Sequence, residues 1–339
     1  MQPFSFYHQH LERVSRSFSF CISQLTSPTK EWVALCYLFL RVVDSIEDAN
    51  WEDRQEQNKS FAVFKSFLTE KPSNEQFIKW LASFPAQLPA EEKQLLCDLP
   101  LLLADKDKLP APVSSALIHT MVQMMEGMQH FLHHYRVEDK ILFPSLVTTN
   151  QYCFFVAGIV GKLLSQIFTY AIADFQWTTK LLNQSFHFGL FLQKVNILKD
   201  KIEDEACGRY FVAPGTNLQE SMGINAQHAL AYLKSIPIIV GRPYRLFCAW
   251  SLFIGLASLR WLAQKGSKIK PRETYYVVNQ VALLIDDNQA LEKLFYSYLP
   301  KQESLENNSP STASMPSWFT HIYTEEQEPI AWFELGVLA

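Results

Sequence analysis

The segments VVDSIED (42–48) and LKDKIED (198–204) each set aspartates four residues apart at the end of a long apolar run. Four residues is about one helical turn, so Asp44 and Asp48 share a helix face, as do Asp200 and Asp204. Glu47 and Glu203 hold the same place in each motif, which gives two matched sets of carboxylates. An isolated acidic pair at this spacing ordinarily marks a solvated helix face. Here residues 32–43 (WVALCYLFLRVV) are apolar nearly all round, and residues 186–198 (FHFGLFLQKVNIL) are similar. Such helices are buried on every side and carry their carboxylates inward, where uncompensated charge is costly. Hard divalent ions such as Mg²⁺ are the natural compensation, because they take oxygen ligands and bridge carboxylates to substrate phosphates. A fold that opposes two buried acidic helices across a cavity is expected, with metal-dependent diphosphate chemistry as its use.

The rest of the chain agrees with a helical body. Helical periodicity runs through 31–48, 112–135, 149–172, 184–204, 244–263 and 273–298. Breaks fall between these segments at KPSN (71–74), FPAQLPA (84–90), KLPAP (108–112) and Ala213-Pro214-Gly215. No series of short alternating strands is evident, so an all-α single domain over 1–300 is expected. Residues 301–317 are Ser/Asn/Pro-rich and read as a linker, leaving an aromatic tail to 339. A net charge of −4 without a Lys/Arg-rich run argues against nucleic acid as a partner. The six scattered cysteines form no C-x-x-C pair and suit buried thiols in a reducing cytosol. The N-terminus lacks a signal-peptide pattern, and the longest apolar stretch, 246–259, is too short to span a bilayer. A cytoplasmic protein is expected, at most peripheral to a membrane.

Cations punctuate the acidic helices. Arg41 precedes Asp44 by three residues, Lys199 adjoins Asp200, and Arg209 follows within CGRYF. They suit diphosphate oxygens, or they simply pair with the acids. His130, His133 and His134 have metal-like spacing but read as a polar helix end, and Met121, Met124, Met125 and Met128 read as flexible apolar packing.

The stretches SRSFSFCISQL (15–25), CYLFLRVVDSIED (36–48), YCFFVAGIVGKLLSQIF (152–168), GLFLQKVNILKDKIED (189–204), GRYFVAP (208–214) and FCAWSLF (247–253) together resemble the squalene/phytoene synthase family. Within that family of head-to-head prenyl transferases, G-L-F-L-Q-K-x-N-I looks most like the squalene synthases. The resemblance covers roughly residues 10–300, in the family's order and spacing. It implies an all-α isoprenoid-synthase fold around a central cavity that binds two farnesyl diphosphates through Mg²⁺. Asp44, Glu47 and Asp48 would hold metal on one wall, with Asp200, Glu203 and Asp204 on the other. Tyr152 matches a tyrosine implicated in stabilising the carbocation or moving a proton to diphosphate. Arg16, Ser17 and Phe18 match the S-R-S-F entrance, Tyr37 a tyrosine near the diphosphates, and Asn196 a polar residue one turn before the second acidic pair. With Arg41, Lys199 and Arg209 these complete the implied diphosphate set, and Phe18, Phe247 and Cys248 fall at cavity positions. Gly158 and Gly161 read as close helix packing.

The resemblance further implies reduction of presqualene diphosphate to squalene by NADPH. No G-x-G-x-x-G fingerprint is present, but SKIKPRE (267–273) is similar to the family's basic loop and places Lys268, Lys270 and Arg272 for the nucleotide's 2′-phosphate. Two departures stand out. Lys199 and Lys201 replace an arginine and a tyrosine, and Trp250-Ser251-Leu252 stands where relatives carry I-P-Q. Alternatives are a non-reductive member making presqualene diphosphate, dehydrosqualene or phytoene, and a non-catalytic helical assembly factor. The latter has no use for six retained carboxylates.

Overall fold

A computed structural model of the chain describes residues 1–299, and the expected linker and tail at 301–339 lie outside them. The body is helical, as expected. Thr29–Asp48 is a continuous helix of 20 residues, buried on nearly every side from Val33 to Glu47. It packs on Phe4–Val14 and on Ala111–His134. The second acidic motif begins at the end of Thr179–Lys199 and continues into Lys201–Ala206; Thr179–Lys199 packs against Leu218–Ser235, Arg242–Lys265 and the Leu146–Ala171 segment.

The Leu146–Ala171 segment changes pitch in its middle. A π-helical turn at Phe154–Gly158 begins two residues after Tyr152, and such turns re-aim the side chains around them. Beyond it, Gly161 allows backbone contact with the second acidic helix: a Cβ there would lie 2.1 Å from the Ser185 carbonyl oxygen. Gly189 does the same from the opposite helix, 2.1 Å from the Ala157 oxygen. Close packing through the glycines is thus the observed arrangement. Gly189→Ala should destabilise the fold by about 1–3 kcal/mol, because neither backbone can yield without moving a helix. Urea unfolding measures this, and a loss below about 0.5 kcal/mol would contradict so tight a crossing.

Three expectations need correction. The helix expected over 273–298 is two, Pro271–Leu284 and Asn288–Tyr298, because the Asp287 side chain accepts from the N–H groups of Gln289 and Ala290 and starts a new helix. The second acidic motif crosses a break at Asp200 rather than lying in one helix over 184–204. A small sheet also exists. Arg136–Val137 pairs antiparallel with Lys140–Leu142, which pairs in parallel with Arg209–Tyr210. Strands of two or three residues are too short to leave an alternating pattern in a sequence.

All six cysteines are free, with Cys97 and Cys207 exposed and the other four buried. Leu146–Ala171 and Arg242–Lys265 are long and apolar enough to cross a membrane, with mean hydropathies of 1.5 and 1.6. Most of each apolar window (61% and 67%) is buried inside the protein, as in core helices.

Candidate active site

The first acidic motif ends its helix among cations and a tyrosine. Arg41 Nη1 lies 3.7 Å from Asp44, while its Nη2 donates to Glu92 of the Ala90–Cys97 helix. Asp48 accepts a hydrogen bond from Arg209 Nη1. Glu47 is buried and accepts from the Tyr152 hydroxyl at 3.2 Å. The Tyr152 ring stacks on Phe211 with centroids 5.0 Å apart, and Phe131 and Phe143 meet it edge-on at 5.6 and 5.3 Å. The phenol therefore presents one polar atom, aimed at the motif, from an aromatic cage.

Burial pushes the Asp44 carboxyl up to about 7; Arg41 opposes the rise, while Asp48 and Glu92 add to it. Glu47 is raised by burial and by the charges of Asp48 and Asp44. Tyr152 is raised by burial and then by Glu47, so the phenol holds its proton.

The second motif is more open. Asp200 closes the Thr179–Lys199 helix, yet the Asp204 N–H still donates to the Asp200 carbonyl at 2.9 Å. One-turn spacing thus survives the break. Lys199 Nζ donates to Asn196 Oδ1 at 3.0 Å and lies 3.5 Å from Asp200. Lys268 Nζ bridges Asp200 and Glu203 at 2.7 and 2.9 Å. Hydrogen bonding from Lys268 lowers the Glu203 carboxyl. Asp204 moves the other way, up to about 6, through burial and the charges of Asp200, Asp48 and Glu203, with Arg209 opposing. Asp48 and Arg209 thus act on both motifs, so the two acidic sets lie within electrostatic reach of each other.

Among the described residues no three His, Cys, Asp or Glu side chains converge closely enough to hold one ion by themselves. Arg41, Arg209 and Lys268 pair with the acids instead, Arg41 and Lys268 with two each. The donor chemistry nonetheless fits Mg²⁺: hard carboxylate oxygens, three of which (Asp44, Glu47 and Asp204) have their ionised forms disfavoured by burial and by neighbouring acids. Mg²⁺ characteristically takes one or two carboxylates and completes its shell with water and substrate phosphate, so a protein-only cage is not required.

The sequence model of the squalene/phytoene synthase family matches residues 11–235, well over half of the chain. The chain belongs to the squalene/phytoene synthase family. Curated relatives include the squalene synthases of Mycosarcoma maydis, 31% identical over 59% of this chain and 34% of that protein, and Dictyostelium discoideum, 31% identical over 58% and 44%. The human squalene synthase is 26% identical over 60% and 45%. The matches thus span less than half the length of these relatives. Among solved structures, "The complex structure of TcSQS with ligand, BPH1237" superposes with a TM-score of 0.69 at 21% identity, covering 88% of this chain and 93% of that one. A dehydrosqualene synthase structure gives 0.55 at 16% identity, covering 87% and 97%. These superpositions establish the all-α isoprenoid-synthase fold.

The remaining residues of the family pattern divide between two regions. Phe18 packs on Tyr37 with centroids 5.2 Å apart, and Tyr37 also hydrogen-bonds Ser15, so the S-R-S-F element does meet the first acidic helix. Burial pushes the Tyr37 phenol up to about 12. Arg16 and Ser17 are exposed at the start of the Arg16–Ile22 helix. Phe247 and Cys248 are buried on Arg242–Lys265, where Phe247 stacks on Tyr244 at 6.0 Å. Trp250 stacks on Phe20 at 4.7 Å and donates from Nε1 to the Val278 carbonyl, filling space at the I-P-Q position.

The cations of the basic loop divide between two surroundings. Lys268 is engaged with Asp200 and Glu203, while Lys270 and Arg272 are exposed at the start of Pro271–Leu284. Three cations were expected to act together on a nucleotide phosphate; the acids of the second motif hold one of them. The sequence reading also missed Glu92 and the Phe131–Phe143–Phe211 cage. Glu92 opens an ordinary surface-like helix, and aromatic cages assembled from three distant segments carry no local signal.

Proposed function

We propose that this protein is a squalene synthase. It condenses two farnesyl diphosphates head-to-head to presqualene diphosphate, and reduces that intermediate with NADPH. The observation that carries the reading is the joining of the two acidic motifs through Arg209, with the Tyr152 hydroxyl on Glu47.

Asp44, Asp48, Asp200 and Asp204, flanked by Glu47 and Glu203, would hold Mg²⁺, which when bound neutralises charge on the departing diphosphate as a Lewis acid. Arg41, Arg209, Lys199 and Lys268 are the cations available to oxygens that the metal does not cover. Arg16, Ser17, Tyr37 and Asn196 complete the diphosphate side. The Tyr152 phenol keeps its proton beside Glu47, which suits it to donate toward a leaving diphosphate, and the aromatic rings around it suit a cationic intermediate. Tyr152→Phe should lower turnover about 10²-fold or more while the fold is kept, since the caged ring remains. Steady-state rates and near-UV circular dichroism measure the two effects, and turnover within threefold of the parent would remove Tyr152 from the mechanism.

A non-reductive second reading rests on two observations: Trp250 fills the I-P-Q position and Lys268 is drawn onto the second motif. Incubation with farnesyl diphosphate and Mg²⁺, with and without NADPH, separates the readings by mass spectrometry. Squalene appearing only with NADPH supports the full reaction. Presqualene diphosphate or dehydrosqualene in both samples supports the second reading, and no condensation product in either overturns both.

A further inference from the structure

Behind the first acidic motif lies a recess of about 130 Å³, floored by the small sheet. In that sheet Ile141 stands opposite both Arg136 and Arg209. Directly opposed residues point to the same face, so the two arginines leave one face on either side of Ile141, with backbones about 10 Å apart. Arg54, at the start of the Arg54–Thr69 helix, lines the same recess from above the sheet. Three arginines thus line one small polar hollow together with two acids, Glu47 and Asp139. The lining keeps a net positive charge of one even with both acids ionised.

None of these arginines is spent by its present contacts. Arg136 donates from Nε to the Glu138 carbonyl and lies 3.6 Å from Asp139, which is wholly exposed and binds weakly through solvent. Arg209 gives Nη1 and Nη2 to Asp48 and keeps Nε. Each guanidinium has five N–H donors in a planar fork matched to phosphate oxygens. The volume falls below the roughly 300–1,000 Å³ of sites for drug-sized ligands, and the polar lining is wrong for a prenyl chain.

We propose that this recess binds a small phosphate anion, inorganic pyrophosphate above all, with Arg54, Arg136 and Arg209 as donors. Arg209 belongs to the recess and to Asp48 of the acidic motif at once, so it joins the place where diphosphate is released to a second cationic site. The choice of pyrophosphate rests on the proposed condensation, which liberates it; the anion site itself does not.

Calorimetric titration of inorganic pyrophosphate into the full chain, without Mg²⁺ or prenyl diphosphate, tests the site. Saturable binding is expected, weakened at least tenfold in the Arg54→Gln/Arg136→Gln double variant. Both side chains are partly exposed, and the single variants guard against a folding defect. No saturable binding, or equal affinity in parent and double variant, overturns the proposal; the second result would place the anion among Arg41, Lys199 and Lys268. In turnover, the double variant should keep its initial rate but show weaker inhibition by added pyrophosphate. Unchanged inhibition counts against the site. If the chain makes no isoprenoid product, the calorimetric arm still decides the anion site alone.

Discussion

Asp44→Asn should lose more than about 10²-fold in Mg²⁺-dependent turnover and yet be more stable than the parent at pH 8. The two effects share one cause. Burial raises the Asp44 carboxyl from 3.8 to about 7, so the folded protein holds a proton there that the unfolded chain has already released. A raised carboxyl pKa means that stability falls as pH rises from about 4 to about 7, and stays low above it. Asn is neutral throughout and removes that slope. Because Asp44 keeps about a third of its side chain open, solvent relieves much of the strain, and the gain at pH 8 should be on the order of 1 kcal/mol. Urea midpoints for parent and variant should therefore diverge between pH 5 and 8. Parallel midpoints across that range, or turnover within tenfold of the parent, would show that Asp44 is not a strained ligand.

The same shifts fix the direction of the activity profile. Metal ligation needs ionised carboxylates, so affinity for Mg²⁺ should rise as pH climbs through the window set by Asp204 near 6 and Asp44 near 7. Isothermal titration of Mg²⁺ at pH 5.5 and 8 measures it, and equal affinity at both values contradicts the assignment.

Much of this site was legible because its signals are local. The apolar run 32–43 announces burial, and the spacing within VVDSIED announces a shared face, both of which Thr29–Asp48 realises. Gly161 was readable as a contact because a glycine within an apolar helix has few other uses. What failed was non-local. The π-turn at Phe154–Gly158 obeys no residue pattern, and the break at Asp200 is invisible to periodicity because the hydrogen bond to Asp204 preserves the spacing. Lys268 shows the limit of reading cations by their neighbours in sequence. Its partners, Asp200 and Glu203, lie more than sixty residues earlier, and opposite charge drew it to them.

Arg245→Met should cost about 3–5 kcal/mol of stability, the largest loss among the substitutions considered, although Arg245 touches none of the acidic residues. Its side chain is fully buried. Nη1 donates to the carbonyls of Leu233 and Ile236, Nε and Nη2 donate to that of Ile285, and Nη2 reaches Asn288 Oδ1 at 2.8 Å. Leu233 and Ile236 belong to the end of Leu218–Ser235, and Ile285 closes Pro271–Leu284. The guanidinium therefore satisfies the orphan carbonyls of two helix C-termini and carries positive charge where both helix dipoles favour it. An apolar replacement leaves the buried Ile236 and Ile285 carbonyls unpaired, at about 1–3 kcal/mol each before relaxation, and leaves the Leu233 carbonyl with only the Ile236 N–H. Release of the guanidinium's own burial cost offsets part of that sum. Arg245→Lys should fall between the two, since an ammonium has the charge but only three donors and no planar fork to reach both helix ends. Chemical unfolding of the three proteins orders them. A methionine variant within about 1 kcal/mol of the parent would mean that water, not Arg245, satisfies these helix ends.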